Sequence, residues 1–336
     1  MSKTIRLQAF YPNPQDGTSF YRGAGVFSAL RKQYRDTIDL QLVYPNEIHW
    51  ASQMDVDCAF FQRPSTDLHV TAAQITKTCG IPLWLDYDDD LLNVTNDNPT
   101  AAYYGKEKNR DNLKRLLAMA DVVTVSTESI KQSFAEFCKT TVVIPNAWND
   151  TLMPFMVGSA PRTNRCVWRG SGTHIRDVMD VAPQIIEASK QSPDDWKFSF
   201  MGWDPWFVSS RCKNSEYIPK AEVIHYLHQL RQLSGKILYV PLADTRFNRS
   251  KSNIAALEAT YAGMKVIAPE LPEWRLPGVT NYTTAEDFGE KLVGLVASPW
   301  ERLLPEVEQT KRHVKDQLLL SRINRDRMDI LLRLVG

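Results

Sequence analysis

The sequence predicts an α/β protein built from two doubly wound domains, and three observations support this prediction. Short, almost wholly apolar runs alternate with segments of helical periodicity, which is the pattern of a parallel sheet covered by helices on both faces. The alternation stops in the segment 151–164, which contains two prolines and one glycine and has no strong period. It then resumes beyond that segment. A length of 336 residues suits two domains of ordinary size.

The first half of the chain predicts six strands separated by helices, because its apolar runs are short and bounded by turn residues. The first run ends at Pro12. The strand candidates are 5–10, 39–43, 58–61, 83–85, 122–125 and 142–144. The helix candidates between them are 21–34, 68–78, 108–119 and 129–137. Residues 1–150 are therefore predicted to form one domain, and 151–164 the linker that follows it.

The second half repeats the alternation and ends in a long helical tail. Its strand candidates are 166–168, 197–201, 237–240 and 265–268, and its helix candidates are 173–190, 221–233 and 252–262. From residue 299 onward the periodicity predicts helix throughout, with many basic residues on the polar face. We predict a second domain at 165–310 and a terminal helix at 311–336. Two such domains place a ligand in the cleft outside the carboxyl ends of their strands.

Composition and charge exclude several classes of protein. Hydrophobic residues make up 43% of the chain and charged residues 24%, as in ordinary globular proteins and unlike disordered or fibrous ones. A net charge of +1 argues against coating nucleic acid by bulk electrostatics, although a local basic patch is compatible with it. No apolar run approaches the roughly 18 residues of a membrane helix, and the first residues lack a secretion signal. The five cysteines are scattered without a C-x-x-C pair, which favours a reducing compartment and predicts a cytoplasmic protein.

A glycine-containing turn at 16–25 directly follows the first predicted strand. Its glycines allow close approach of the backbone to a ligand, and the start of a helix favours anions. Gly17 and Thr18 are therefore candidate ligand contacts, with Tyr21 and Arg22 in the turn that follows. The spacing does not match G-x-G-x-x-G, so a standard dinucleotide fingerprint is unsupported. The alternative interpretation is a tight strand-to-helix turn without a ligand.

An acidic run stands at the end of the fourth predicted strand, with carboxylates at Asp86, Asp88, Asp89 and Asp90. Four carboxylates in five residues repel one another unless a cation, arginines or solvent compensates them. A metal site of the D-x-D transferase or aspartate phosphatase type is one interpretation. The phosphatase pattern expects a hydroxyl residue where Asp90 stands. The alternatives are contact with an acceptor substrate, or a solvated loop that caps a helix.

The segment 168–177 combines a strand, a glycine turn and a helix start. Arg169, Gly170, Ser171 and His174 lie in or beside this turn. Backbone N–H groups, the helix dipole and the guanidinium would converge on a phosphate. A lone histidine is often structural, so His174 is a candidate because of its place beside the predicted anion site.

The segment 241–263 is the most specific of the four. It carries a basic cluster at the start of a helix, which Ser252 is placed to cap. Lys251 and Glu258 are seven residues apart and so share a helical face. A cation for a diphosphate and a carboxylate for sugar or ribose hydroxyls suit a nucleotide-sugar. Glu258 stands among apolar residues, where an unpaired carboxylate is costly, and this argues against a merely solvated surface helix.

Taken together, these segments resemble the GT-B glycosyltransferases, specifically the retaining family 4-like group with short phage-type members. The resemblance covers most of the chain. It is carried by the order and spacing of 17–25, 120–127, 143–147, 170–174, Lys251 and 258–268. The last of these pieces is similar to the segment E-A-x-A-x-G-x-P-V-[IV]-A of that family.

The resemblance implies a role for each candidate residue. Glu258 would bind the ribose of the donor, and Arg169 and Lys251 would neutralise its diphosphate during catalysis. The other implied donor contacts are Gly17, Thr18, Gly170, Ser171, His174, Ser250, Ser252 and Asn253. Asp88 is a further catalytic candidate, and the acceptor side would include Asp86, Asp89, Arg22 and Tyr21. Position 250 departs from the family, because Ser250 stands where the first glutamate of the E-x7-E motif is expected.

The resemblance also implies retention of the anomeric configuration, no metal or other cofactor, and a terminal helix that packs back on the first domain. For a phage-type member, the acceptor would be a hydroxylated base in DNA, modified in the host cytoplasm. A basic cluster (Lys106, Lys108, Arg110, Lys114, Arg115) and possible stacking residues (Arg63, Tyr103, Tyr104, Trp203, Trp206) suit that acceptor. The alternatives are a polysaccharide or lipid-linked acceptor and a GT-B-like sugar-nucleotide epimerase. The sequence specifies neither the nucleotide, the sugar nor the oligomeric state.

Overall fold

Two six-stranded parallel sheets form the framework of the protein. The structure, a computed structural model, describes residues 4–13, 15–43, 55–153 and 162–336. The strands of the first sheet are β1 (Ile5–Phe10), β2 (Ile38–Val43), β3 (Cys58–Gln62), β4 (Leu83–Tyr87), β5 (Val122–Val125) and β6 (Thr141–Val143). Those of the second are β7 (Thr163–Gly170), β8 (Lys197–Gly202), β9 (Ser215–Pro219), β10 (Gly235–Tyr239), β11 (Lys265–Pro269) and β12 (Thr280–Tyr282).

The order of the strands fixes where each sheet can bind a ligand. The first sheet has the order β2-β1-β3-β4-β5-β6 and the second the order β12-β11-β10-β7-β8-β9. The order reverses between β1 and β3 in the first sheet and between β7 and β10 in the second. Loops diverge at the carboxyl ends of the strands at such points and leave a crevice. The predicted α/β class with two doubly wound sheets is confirmed.

Helices cover the two sheets, and their apolar faces form the cores. Around the first sheet lie α1 (Gly17–Arg22), α2 (Ala24–Gln33), α3 (Asp67–Thr78), α4 (Ala101–Tyr104), α5 (Glu107–Met119) and α6 (Glu128–Phe134). Around the second lie α7 (Ile175–Asp180), α8 (Ala182–Gln191), α9 (Trp206–Ser209), α10 (Val223–Gln232), α11 (Arg246–Arg249), α12 (Ile254–Ala262) and α13 (Ala285–Ala297). The chain ends in α14 (Trp300–Gln317) and α15 (Leu320–Val335).

Local sequence explains several of the helix ends. Thr66 caps α3, Thr127 caps α6 and Thr284 caps α13, each through a side-chain oxygen that accepts a backbone N–H. Gly263 ends α12 in the left-handed region at φ 70°, which costs glycine little. Strands β3 and β4 are buried along their whole length, which is why they appear in the sequence as continuous apolar runs.

The terminal helix crosses back to the first sheet, as predicted. Leu320, Ile323 and Leu331 of α15 join the core that contains Leu7 of β1 and Phe27 of α2.

The tail is not one helix, however, and the predicted boundary at 310/311 falls inside α14. The helix ends before Leu318 because the backbone of Trp148 takes part in the junction: its N–H donates to Leu318 O at 2.8 Å, and its carbonyl accepts from Leu320 N–H at 2.8 Å.

Other differences from the prediction have local causes. The helix predicted at 21–34 is two helices that meet at Gly23, where a Cβ would overlap the amide of Gln62. Strands β9 and β12 were not predicted. Both are edge strands, one with an alternating exposed face and the other of three residues, so neither has a long apolar run. Most of the predicted linker, 154–161, lies outside the described residues, and Thr163 already belongs to β7.

No helix in the described ranges is both long enough and apolar enough to span a bilayer.

Candidate active site in the cleft between the two sheets

The loops at the carboxyl ends of the two sheets meet across a cleft and are joined by direct contacts. Thr127 Oγ1 donates to Ser250 O at 3.1 Å, and Asn146 Nδ2 donates to Ser252 Oγ at 2.7 Å. Lys251 between them reaches Asp89 on the first domain at 2.9 Å. The segment before α12 is therefore docked against the loops that follow β4, β5 and β6.

Asp86 is part of the framework of the first domain. Its two carboxylate oxygens accept from Arg22 Nε at 2.9 Å and Nη2 at 2.6 Å, and both side chains are buried. Arg22 also donates to Ile144 O, and Thr124 Oγ1 donates to Asp86 Oδ2 at 2.6 Å. This buried pair gives Arg22 and Asp86 a structural role, and the prediction that they contact an acceptor stays a prediction.

Asp88 and Asp89 lie nearer the cleft and share a guanidinium. Arg63 forms an ion pair with Asp88 at 2.6 Å and another with Asp89, whose second oxygen faces Lys251. Burial raises the pKa of Asp88 to about 6, against the opposing charge of Arg63. Burial acts in the same direction on Asp89, but Lys251 and Arg63 outweigh it and lower its pKa to about 2. The two adjacent carboxylates thus differ in acidity because only one of them has two cations.

The last carboxylate of the acidic run, Asp90, is also compensated by side chains. It accepts hydrogen bonds from Asn93 Nδ2 and from Ser133 Oγ at 3.0 Å. Protein cations and hydrogen-bond donors therefore compensate the negative charges of the acidic run. Compensation by arginines was one of the alternatives that the sequence left open. This arrangement argues against the metal-site interpretation and gives Arg63 an ion-pairing role where stacking was expected.

Glu258 lies at the centre of a buried network on the second domain. Its Oε2 forms an ion pair with Arg169 Nε at 2.8 Å and accepts a hydrogen bond from the Tyr226 hydroxyl at 2.7 Å, and its Oε1 accepts from the Tyr21 hydroxyl at 3.2 Å. Burial, then the charge of Glu258, raises the pKa of both tyrosines, so both hydroxyls remain protonated donors. Glu258 raises the pKa of Arg169 despite burial.

This network explains how the Glu258 carboxylate can lie among apolar residues. It also bears on the predictions for Tyr21 and Arg169. Tyr21 belongs to the first domain, but its hydroxyl is buried against Glu258 of the second domain and is not available to an acceptor. Arg169 orients one edge of its guanidinium toward Glu258 and remains about a quarter exposed, at 23%. Glu258 therefore holds Arg169 in place, a function that the E-x7-E resemblance did not indicate.

The turn after β7 places His174 at the edge of the cleft. Residues Gly172–His174 form a 3₁₀ turn that Ser171 caps, and the α-helix that follows spans only the six residues of α7. A helix this short supplies little dipole, so the predicted dipole contribution at this turn is corrected. His174 Nδ1 lies 2.8 Å from Asp177 Oδ2. Asp177 Oδ1 accepts from Ala243 N and from Asn248 Nδ2, at 2.9 and 2.7 Å.

A small cavity of about 30 Å³ opens where the strand order of the second sheet reverses. Arg169 and His174 line it from the β7 side, and residues 238–242 line it from the end of β10 and the loop that follows. A guanidinium and an imidazole therefore face the crevice in which sheets of this type bind their ligands. Gly170 needs to be glycine here, because a Cβ would meet the indole of Trp168 at 2.6 Å.

The remaining donor candidates are distributed unevenly. Ser250 is fully buried and its hydroxyl donates to Phe247 O at 2.6 Å, and its contact with the donor stays a prediction. Asn253, not Ser252, is the N-cap of α12, and its side chain donates to Glu273 O at 3.0 Å. Gly17 is exposed and Thr18 half-buried in the first turn of α1. No hydrogen bond in the described ranges joins either of them to the second domain, so their role stays a prediction.

Three residues of the site were missed or misread in the sequence. Asp177 stands three residues after His174, the spacing of neighbours on one helical face, and this signal was available. Tyr226 has no local pattern, because α10 meets α12 only in the tertiary structure. Arg63 has a positive φ of 50°, a strained conformation that no sequence feature indicates.

Candidate acceptor contacts lie around the mouth of the cleft. Lys106, Lys108, Lys114 and Arg115 are exposed on or beside α5, and Lys108 pairs with Asp67. Trp206 is 70% exposed at the start of α9. Trp203 lies beside Gly172, next to the turn that carries His174. These side chains are accessible, and nothing in their contacts assigns them a ligand.

The chain matches neither a protein-family model nor the sequence of a curated protein. Solved structures, by contrast, match it over nearly its whole length. Anabaena HepE in complex with UDP-glucose has a TM-score of 0.69 at 12% identity, covering 98% of this chain and 100% of that chain. An alpha-glucosyltransferase in complex with UDP-glucose and DNA containing an abasic site has a TM-score of 0.66 at 11% identity, covering 98% and 100%.

A third structure, described as a UDP-N-acetylglucosamine 2-epimerase from Listeria monocytogenes, has a TM-score of 0.61 at 13% identity, covering 97% of this chain and 95% of that chain. At these identities the likeness establishes the fold alone. The structural neighbours include GT-B glycosyltransferases, and the chain has the GT-B fold that the sequence resemblance predicted.

Proposed function

We propose that the protein is a glycosyltransferase that moves a sugar from a nucleotide-diphosphate sugar to an acceptor. The observation that carries the proposal is the cavity at the switch point of the second sheet, lined by Arg169 and His174. Lys251 adds a cation at the interdomain face. Convergent cations at this place in the fold suit a diphosphate. The UDP-glucose complexes of HepE and of the alpha-glucosyltransferase agree with this donor class.

In the proposed reaction, the bond between the anomeric carbon and the diphosphate oxygen breaks, and its electron pair stays on the phosphate. Arg169 and Lys251 stabilise the negative charge that develops there. The acceptor oxygen forms the new bond to the anomeric carbon, and Asp88 takes up its proton. A pKa of about 6 suits Asp88 to this role, since a base works best with a pKa near the working pH. Retention of configuration and independence of a metal follow from the family resemblance and belong to the same proposal.

For the acceptor, we favour a hydroxylated base in DNA. The exposed basic residues of α5 support this choice because lysine and arginine side chains bind phosphates along a nucleic acid backbone. Complexes of the alpha-glucosyltransferase with DNA support it as well. A polysaccharide or lipid-linked acceptor is the alternative within the same reaction class. The epimerase-like neighbour favours a second function, release of an altered donor without any acceptor.

A thermal-shift screen of nucleotide-diphosphate sugars tests the donor class. We expect one donor to raise the melting temperature of the wild-type protein by mass action. The shift should be reduced in Lys251→Ala, because a diphosphate contact is lost. Lys311→Ala is the matched control, since it removes a lysine that pairs with Glu308 on α14.

Product analysis separates the remaining alternatives. With the stabilising donor, transfer to hydroxymethylated DNA supports the favoured acceptor, and transfer to an oligosaccharide alone supports the alternative. An altered free donor in the absence of acceptor indicates the epimerase. If no nucleotide-sugar stabilises the protein, the assignment of the cavity is wrong.

A further inference from the structure

His174 and Asp177 form a pair whose geometry restricts which atom of the imidazole can face a ligand. The Asp177 side chain is buried, whereas that of His174 is 25% exposed and lines the cavity. The Asp177 carboxylate is held in place from a second side, because it also accepts from the backbone N–H of Ala243 and from Asn248. The loops after β7 and β10 are thus joined through one carboxylate.

The carboxylate also assigns the tautomer of the histidine. A carboxylate oxygen only accepts hydrogen bonds, so in the 2.8 Å contact between His174 and Asp177 it is Nδ1 that carries the proton. Neutral His174 then presents only a lone pair at Nε2. The Nε2 atom becomes a hydrogen-bond donor only when the ring is an imidazolium.

The charges around His174 come from both domains. Asp177 faces it from its own segment, and Arg169 faces the same cavity from β7. Asp89 of the first domain lies close enough for the charge of His174 to lower its pKa, and Lys251 is paired with Asp89. Two carboxylates and two cations therefore surround the imidazole. A phosphate that enters the cavity adds negative charge and favours the imidazolium over the neutral ring.

We infer that His174 binds the anionic part of the ligand through Nε2–H as an imidazolium, and that Asp177 is the positioning residue that couples this contact to uptake of a proton. The inference rests on the proposed function and deepens it, because it assigns the protonation state in which the donor site works. A neutral His174 with its proton on Nδ1 would direct a lone pair at a phosphate oxygen, which is repulsive.

Isothermal titration of UDP into the protein tests this inference. The measurements use two buffers of different ionisation enthalpy at several values between pH 6 and 8, and they give both the affinity and the number of protons taken up. On binding UDP, the wild type should take up a fraction of a proton, and His174→Gln should not. We compare the affinities of the two proteins as a ratio, wild type over His174→Gln, because the protonation of UDP itself then cancels. This ratio should fall by up to tenfold for each pH unit as the pH rises.

Asp177→Asn tests the positioning role. Without the carboxylate, the imidazolium loses its ionised partner, so proton uptake should move to lower pH. Loss of a merely structural contact would weaken UDP binding by the same factor at every pH. Asp180→Asn is the matched control, because Asp180 lies on the same helix and pairs with Arg176 at the surface. It should leave both the affinity and the proton count unchanged.

The outcomes separate this inference from the proposed function. If wild type and His174→Gln bind UDP with the same proton uptake and a pH-independent affinity ratio, the inference is wrong and the donor site stands. If the wild type binds neither UDP nor inorganic pyrophosphate, the proposed function fails and the inference with it. Should Asp177→Asn not fold, the comparison of wild type with His174→Gln decides the question alone.

Discussion

Replacing Asp86 with asparagine should destabilise the first domain strongly, because it leaves a buried arginine without its counter-ion. The exposed fractions of the Arg22 and Asp86 side chains are 0% and 4%, and two hydrogen bonds of 2.9 and 2.6 Å join them. Removal of one partner from a buried ion pair costs about 3–5 kcal/mol. Asparagine has almost the shape of aspartate, so the loss reports the charge and not a cavity.

Urea denaturation provides the measurement. With a denaturant slope of about 2 kcal/mol per molar, a loss of 3–5 kcal/mol lowers the unfolding midpoint by roughly 1.5–2.5 M. The exposed pair of Arg176 and Asp180 supplies the control, since Asp180→Asn should cost less than about 1 kcal/mol. The double variant Arg22→Met with Asp86→Asn should recover part of the loss, because the Arg22 guanidinium is no longer buried without its counter-ion, whereas the buried Arg327 still lacks the charge of Asp86.

The result also decides between two roles for Asp86. A residue that contacts an acceptor would, when replaced, reduce transfer while leaving the midpoint close to that of Asp180→Asn. A midpoint within that range would refute the structural role that the buried pair with Arg22 gives to Asp86. A large drop that the double variant partly reverses would confirm it.

Two further changes test local features. Burial raises the pKa of Asp88 from its ordinary value of 3.8 to about 6. Between these two pH values the folded protein therefore binds more protons than the unfolded chain. The contribution of Asp88 to the free energy of unfolding therefore falls as pH rises from 4 to 6. In a plot of urea midpoint against pH, Asp88→Asn should remove this fall. An unchanged slope in Asp88→Asn would contradict the raised pKa. Gly263→Ala should cost about 1–2 kcal/mol by thermal unfolding because φ is 70° there. Gly294→Ala, inside α13 with open space around it, should stabilise by about 0.5–1 kcal/mol, and equal effects of the two would refute the backbone argument.

The sequence alone predicted most of the framework, because the framework depends on local patterns. The buried strands β3, β4 and β5 are mostly apolar, each with one polar residue, and short apolar runs of this kind are typical of a parallel sheet that helices cover on both faces. Edge strands β9 and β12 escaped prediction because neither has a long apolar run: β9 has an alternating exposed face, and β12 has only three residues. The break before α15 escaped because its cause, the backbone of Trp148, lies far away in the sequence.

At the site, the sequence identified the right segments but not the partners of their charges. Arg169 was selected because a guanidinium beside a glycine turn suits a phosphate, and Lys251 and Glu258 because a cation and a carboxylate on one helical face suit a nucleotide-sugar. The contact of Glu258 with Arg169 depends on how α12 lies relative to β7 within the second domain, and the contact of Lys251 with Asp89 depends on which loops meet between the two domains.

The sequence by itself determined the fold class, the parallel sheets and the segments that form the cleft, since each of these follows from short-range periodicity and turn residues. Only the tertiary structure decided which carboxylates are framework and which face the cleft. Asp86 and Asp88 are two residues apart and chemically identical, yet one is paired inside the first domain and the other lies near the cleft with a raised pKa. The reason is physical: burial and the distance to a countercharge set the state of a carboxylate, and both are properties of the packed chain.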